Sequence, residues 1–125
     1  MRTMPSALVV SVSLLLIAAF AQGQRQTEIY IPIGQSPGVS NTETYIGPIT
    51  KLDSATGEIA VESGGTAHIV TITDKTRIWL DRSKQKLSNQ EGQISDLKVG
   101  RTVEIKYTKP TPRMTADWIK VEVAN

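Results

Sequence analysis

The amino-acid sequence predicts an all-β fold, a small five- to six-stranded and partly open barrel that follows an N-terminal signal peptide. After residue 44, short segments of alternating apolar and polar residues are separated by turn residues roughly every eight to twelve positions. No segment of this region shows the 3.6-residue period of an amphipathic helix. Residues 49–52 and 116–119 break the strict alternation, as β-bulges do where strands bend round a barrel.

The strands are predicted from these alternating segments and from the turns between them. They cover residues 45–52, 58–62, 66–73, 76–80, 102–108 and 114–123. Residues 81–93 are polar with little periodicity, which predicts a long loop of the kind that often carries function. Leu97 and Val99 follow in a short turn and are expected to cap the core.

The first 21 residues have the three-part pattern of a secretory signal peptide. Arg2 supplies the positive charge, residues 7–20 form the apolar run, and Ala19 and Ala21 provide the small residues of a cleavage site. The run is shorter than the roughly 20 residues that span a bilayer. We therefore expect cleavage after Ala21, a periplasmic or extracellular location, and no transmembrane segment in the mature chain.

Composition excludes several classes of chemistry. The sequence has no cysteine, so thiol catalysis and zinc–thiolate sites are excluded. The whole chain has 14 Lys and Arg against 12 Asp and Glu, and cleavage would remove Arg2, so the mature chain is nearly neutral. Nucleic-acid-binding domains usually carry a larger basic excess, which argues against that partner.

Residues 22–43 differ in composition from the barrel domain predicted at residues 44–125. They are rich in Gln, Ser, Thr, Gly and Pro, which predicts a flexible tail or linker. Within this segment, residues 28–33 are β-prone but contain Pro32, so they could form an extra edge strand rather than a central one.

The order of elements resembles a family of small exported bacterial domains of unknown function that have an oligonucleotide/oligosaccharide-binding-like (OB-like) barrel. The matching residues are Gly47, Ile49, Asp53, Gly57, Val70, Ile72, Thr73, Thr76, Ile78, Asp96, Leu97, Lys98, Val99, Gly100, Val103, Ile105, Ala116, Ile119 and Val121. The resemblance implies an OB-like fold, and it implies no activity.

A second resemblance is to periplasmic copper- and silver-binding barrels of metal-efflux systems, which share the Leu97, Val99 and Gly100 turn before a strand. In those proteins a His, two closely spaced Met residues and a Trp surround a soft ion. Here His68 is the sole histidine and Met114 lies far along the chain, so the ligand set is incomplete. A metal- or cation-binding barrel is the alternative function, and no metal site or cofactor is predicted.

No catalytic motif occurs in the sequence. His68 has no nucleophile pattern beside it and is in phase with apolar neighbours, which favours a structural role. Asp81, Glu91 and Asp96 border the long loop, so a small hydrolase using loop carboxylates is a third hypothesis. Because nothing sets two of them at a defined separation, we expect the protein not to be an enzyme.

The candidate binding residues are two tryptophans and nearby basic side chains. They are Trp79, Arg82, Lys84, Lys86 and Trp118. Both tryptophans fall out of phase with the apolar face of their strands, and aromatic rings beside basic residues are typical of ligand contact on an OB-type barrel. The alternative is that the loop at 81–93 or the tail covers both rings. The predicted function is a secreted or periplasmic, non-enzymatic binding or accessory module whose partner is an unknown ligand, an anionic polymer, a glycan or an envelope protein.

Overall fold

The computed structural model describes residues 31–109 and 114–123, so the predicted signal peptide lies outside the described residues. The strands of this part are β1 Thr44–Asp53, β2 Glu58–Ser63, β3 Thr66–Thr71, β4 Arg77–Asp81, β5 Gln90–Glu91, β6 Thr102–Thr108 and β7 Thr115–Glu122. Two single turns of 3-10 helix, Ser83–Gln85 and Ile94–Asp96, lie between strands. No helix in the described ranges is long and apolar enough to cross a bilayer.

Five of the strands close into a barrel. β1 pairs in antiparallel fashion with β2 and β6, β2 pairs with β3, and β6 pairs with β7. The ring is closed by a short parallel contact between β3 and β7 at Thr71 and Thr115. This order, β1-β2-β3-β7-β6, confirms the predicted OB-like barrel.

The remaining strands extend the sheet beside β7. β4 runs parallel to β7 beyond the point where β3 leaves it, and β5 pairs with the outer edge of β4. Thr76 anchors the turn between β3 and β4, because its hydroxyl donates to the carbonyl of Ala116 at 2.7 Å. The segment predicted as a loop, residues 81–93, contains the first 3-10 turn and the two-residue strand β5.

Both expected bulges are present. The register of β1 against β2 shifts between Ile49 and Lys51, and that of β6 against β7 shifts between Lys106 and Tyr107, opposite the irregular stretch of β7.

The inward-facing side chains form one core. Its buried members are Ile49, Ile59, Val61, Val70, Ile78, Leu97, Val103, Ile105, Ala116, Ile119 and Val121.

The turn before β6 departs from the prediction at one residue. Leu97 caps the core as expected and is 3% exposed, but Val99 is 63% exposed, so its predicted capping role is wrong. Gly100 follows with a φ of 95° and donates its amide to the carbonyl of Ile49 at 2.8 Å. This left-handed residue turns the chain so that Val99 points away from the barrel.

Candidate binding face

The outward-facing side chains of β5, β4, β7, β6 and β1 form rows across the sheet. Residues paired in register in adjacent strands lie on the same face. One row consists of Glu91, Trp79, Lys120, Glu104 and Ile46. The next row consists of Arg77, Trp118, Lys106 and Thr44. We call this surface the outer face. It contains both predicted tryptophans.

Two charged residues of the outer face have no exposed surface. Glu104 and Lys120 are both 0% exposed, and Asp81 is 4% exposed. Because side chains alternate along a strand, these residues point away from the barrel core, toward the side of the sheet on which solvent would be expected. They are buried because residues 31–43, which we call the strap, cross over them in a series of turns. The described part of the predicted tail contains no strand and is packed on the barrel.

Glu104 is the main anchor of the strap. One carboxylate oxygen accepts the amide of Gly34 at 3.1 Å, and the other accepts the hydroxyls of Ser40 at 2.6 Å and Thr44 at 2.9 Å. Ionised acceptors make shorter and stronger hydrogen bonds than neutral ones. A single carboxylate thus ties the strap and the start of β1 to the middle of β6.

Lys120 and Asp81 also hold the strap in place. The ammonium of Lys120 donates to the hydroxyl of Ser36 at 3.3 Å, and Asp81 accepts the amides of Ile33 and Ser83, each at 2.9 Å. Burial acts to raise the pKa of Asp81, but the hydrogen bonds from Ile33 and Ser83 and the charge of Lys120 outweigh it and leave this pKa below its ordinary value.

This lowered pKa predicts an acid-dependent loss of stability. Because an unfolded Asp has a pKa of about 3.9, ionised Asp81 stabilises the fold above that value. The stabilisation is lost as the pH falls through the lower, folded pKa. Asp81→Asn is expected to lose this contribution, so its free energy of unfolding in urea should change less between pH 7 and pH 3 than that of the wild type. The exposed Asp74→Asn is the matched control, and an unchanged pH dependence for Asp81→Asn would contradict the assignment.

The two tryptophans lie on adjacent strands of the outer face. Trp79 is paired with Lys120, and Trp118 is paired with Arg77, so the two rings are diagonal neighbours. Both are half-buried. The ammonium of Lys120 lies 4.7 Å from the centre of the Trp118 ring, a cation–π contact that fixes one face of the indole. Each ring therefore combines a packed part with a solvent-facing part.

The structure separates the three predicted basic residues by role. Arg82 donates its Nε to the carbonyl of Ser88 at 2.7 Å and closes the loop, and Lys84 pairs with Glu122 at 3.0 Å. Lys86 is exposed at the end of the 3-10 turn, in a left-handed conformation with a φ of 59°. Arg82 and Lys84 are engaged within the fold, so the three residues do not form one free basic cluster.

Arg77, a basic residue near Trp79 in the sequence that is not among the candidate binding residues, lies beside Trp118. Arg77 is exposed and lines an open cleft of about 510 Å³ between the β3–β4 turn and the segment that follows β5. The segments that line it are residues 74–78 and 91–94. The signal available in the sequence was the out-of-phase position of Arg77, two residues before Trp79 on the same strand.

His68 contributes to an aromatic stack at one end of the barrel. Its ring lies 3.7 Å from that of Tyr45, which in turn lies 4.4 Å from that of Tyr107. The Tyr45 hydroxyl donates to the sulfur of Met114 at 3.4 Å, and burial and the neighbouring Tyr107 raise the pKa of Tyr45. In the described part of the chain, no three His, Cys, Asp or Glu residues form a group that could hold a metal ion.

The three loop carboxylates have different surroundings. Asp81 is covered by the strap. Asp96 is the last residue of the second 3-10 turn, and its side chain accepts the amide of Gln93 at the start of that turn at 2.7 Å. Glu91 is exposed and lines the cleft. Of the three, only Glu91 is among the residues that line it.

No protein-family model matches the sequence, and no curated protein matches it. Among solved structures, silver(I)-bound CusF is similar with a TM-score of 0.46 and 16% identity, over 62% of this chain and 93% of that chain. Apo-CusF from Escherichia coli has a TM-score of 0.46 and 15% identity, over 69% and 98% of the two chains. These similarities are too low to assign a family or a ligand.

Proposed function

We propose that this protein is an exported, non-enzymatic binding module that contacts its ligand through Trp79, Trp118 and Arg77 on the outer face. The observation that carries the proposal is the pair of half-buried tryptophans on adjacent strands, beside an exposed arginine and an open cleft. Aromatic rings with one wet side are enriched where proteins bind partners and ligands. The proposed location rests on the signal-peptide pattern of residues 1–21.

The outer face is suited to binding because its side chains are held in place. Trp118 is fixed by Lys120, which itself is buried under the strap. Trp79 lies on β4 between β7 and β5. Side chains positioned before a ligand arrives lose little conformational entropy on binding, which increases affinity.

The charge of this surface favours a polar, nearly neutral ligand over a polyanion. Lys84 is neutralised by Glu122, and Lys106 lies 3.6 Å from Asp117 and 3.9 Å from Glu43. An envelope glycan or protein therefore fits the surface better than a strongly anionic polymer does.

Truncating the tryptophans tests the proposal. A panel of neutral glycans, anionic polymers and peptides is screened by intrinsic tryptophan fluorescence, and a ligand that changes the emission is then titrated by calorimetry. Trp79→Ala and Trp118→Ala are each expected to weaken binding about tenfold, as loss of a central aromatic contact does. Val99→Ala, which truncates an exposed apolar side chain on the turn before β6, is expected to leave the affinity unchanged. Rings that acrylamide cannot quench would contradict the proposal.

A soft-cation site is the second candidate, because the fold brings together two potential ligands that are distant in sequence. His68 and Met114 both contact Tyr45, and imidazole and thioether groups bind soft monovalent cations. If this candidate holds, silver(I) gives saturable heat that His68→Gln and Met114→Leu each reduce and Trp79→Ala does not. Absence of saturable heat would exclude it.

A further inference from the structure

The cleft beside the outer face has oppositely charged walls. Lys75 and Arg77 lie with Asp74 on the wall formed by the β3–β4 turn and the start of β4. Glu91 lies on the opposite wall, in the segment from β5 to the second 3-10 turn. One wall therefore has a net positive charge and the other a negative charge.

These charged groups are not satisfied by one another. Within residues 31–109 and 114–123, the side chains of Asp74, Lys75, Arg77 and Glu91 form neither an ion pair nor a hydrogen bond. Glu91 pairs with Trp79, so Arg77 is its diagonal neighbour in the sheet, at a backbone separation of about 7–8 Å. The side chains of Arg77 and Glu91 are long enough to bridge this distance, but they form no ion pair with each other.

Beside the cleft, the segment after β5 packs closely against β4. Gly92 donates its amide to the carbonyl of Ile78 at 2.8 Å, and a Cβ at Gly92 would lie 3.0 Å from a methyl carbon of Leu80 and 3.1 Å from one of Ile78. The absence of a side chain at this position lets the segment after β5 lie against β4. Ile94, which is 57% exposed, adds an apolar surface at the rim.

We infer that the cleft binds a peptide segment carrying both an acidic and a basic side chain, with the acidic group on Lys75 and Arg77 and the basic group on Glu91. This inference rests on the proposed binding function and names its ligand. A polyanion would meet Glu91 and Asp74, and a polycation would meet Lys75 and Arg77, so each would meet like charge. A mixed-charge peptide satisfies both walls, and its aliphatic stems can pack on Ile94.

The test uses blocked peptides, acetylated and amidated so that side chains supply their charges. One carries a Glu and a Lys, a second carries two Glu, and a third carries two Lys. Binding is followed by amide chemical shifts in the mature protein. The mixed-charge peptide is expected to shift the signals of Arg77, Glu91 and Gly92 and to bind more tightly than the other two.

Removing one wall charge distinguishes a mixed-charge ligand from an anion. Glu91→Gln is expected to weaken the mixed-charge peptide about two- to fivefold and to leave the two-Glu peptide unchanged or tighter. Arg77→Gln should weaken both. Glu62→Gln and Lys98→Gln, exposed and outside the cleft, are the matched controls and should change neither.

Two results would overturn the inference: no shift of cleft signals with the mixed-charge peptide, or tighter binding of that peptide by Glu91→Gln. The proposed function fails separately. If another ligand changes the tryptophan emission while the cleft signals stay unshifted, the binding face stands and the peptide assignment is wrong. If no member of the ligand panel or the peptide set affects the tryptophans or the cleft, both are wrong.

Discussion

Glu104→Ala is expected to lower the free energy of unfolding by about 1–3 kcal/mol, the cost of leaving a buried polar group without its hydrogen-bond partner. Glu104 has no exposed surface, and its carboxylate accepts three hydrogen bonds, from Gly34, Ser40 and Thr44. Truncation leaves these three donors without their acceptor. Thr44 is buried, and a buried unsatisfied donor costs about 1–3 kcal/mol, whereas Gly34 is exposed and Ser40 half-buried, so their loss costs less. It also removes the carboxylate paired in register with the buried Lys120.

Urea unfolding at pH 7 measures this effect, and two further variants show its origin. Glu62→Ala removes the same side chain from an exposed position on β2, so its cost should stay within about 0.5 kcal/mol. Glu104→Gln keeps the shape but places an amide NH₂ opposite a donor, so its stability should lie between those of the wild type and Glu104→Ala. Hydrogen exchange should speed up first at the Gly34 amide. A loss below 1 kcal/mol for Glu104→Ala would contradict the anchoring role.

The strap shows where sequence reasoning stops. Alternation along β6, and along β7 after its bulge, places Glu104 and Lys120 opposite the apolar residues, and this position is correct. Alternation gives the side of the sheet but not what covers it. The strap residues that contact Glu104 and Lys120 lie 64 to 84 positions away from them along the chain, and the polar composition of the strap is also that of a flexible linker. Only the folded chain shows that its amides and hydroxyls match the buried charges.

The strands of the barrel were predictable because their signals are local. Alternation and turn residues predicted β6 at Thr102–Thr108 without error, and the broken alternation at 49–52 and 116–119 predicted both bulges. β5 was missed because two residues are too few for a periodic pattern. The out-of-phase positions of the tryptophans were predicted from the same alternation. The pairing of Lys84 with Glu122 could not be predicted in this way, because it joins residues 38 positions apart.

Gly47→Ala is expected to destabilise the fold by about 3 kcal/mol or to prevent folding, because of a clash that no local pattern reveals. Gly47 lies on β1 opposite Val103, and its φ is not in the left-handed region. A Cβ at this position would lie 2.9 Å from the carbonyl carbon of Glu62 and would overlap its oxygen. This neighbour is backbone of the end of β2, so relief requires the two strands to move apart. Overpacking of this kind costs about 1–3 kcal/mol and occasionally more.

A second glycine separates this steric effect from backbone strain. Gly65 has a φ of 79° but open space where a Cβ would lie, so Gly65→Ala bears the strain alone and should cost about 1 kcal/mol. Thermal unfolding of both variants measures the difference, and equal losses would contradict the clash. The sequence shows that a glycine stands at position 47. The close approach of β1 and β2 supplies the reason, since any side chain there would separate the strands that begin the barrel.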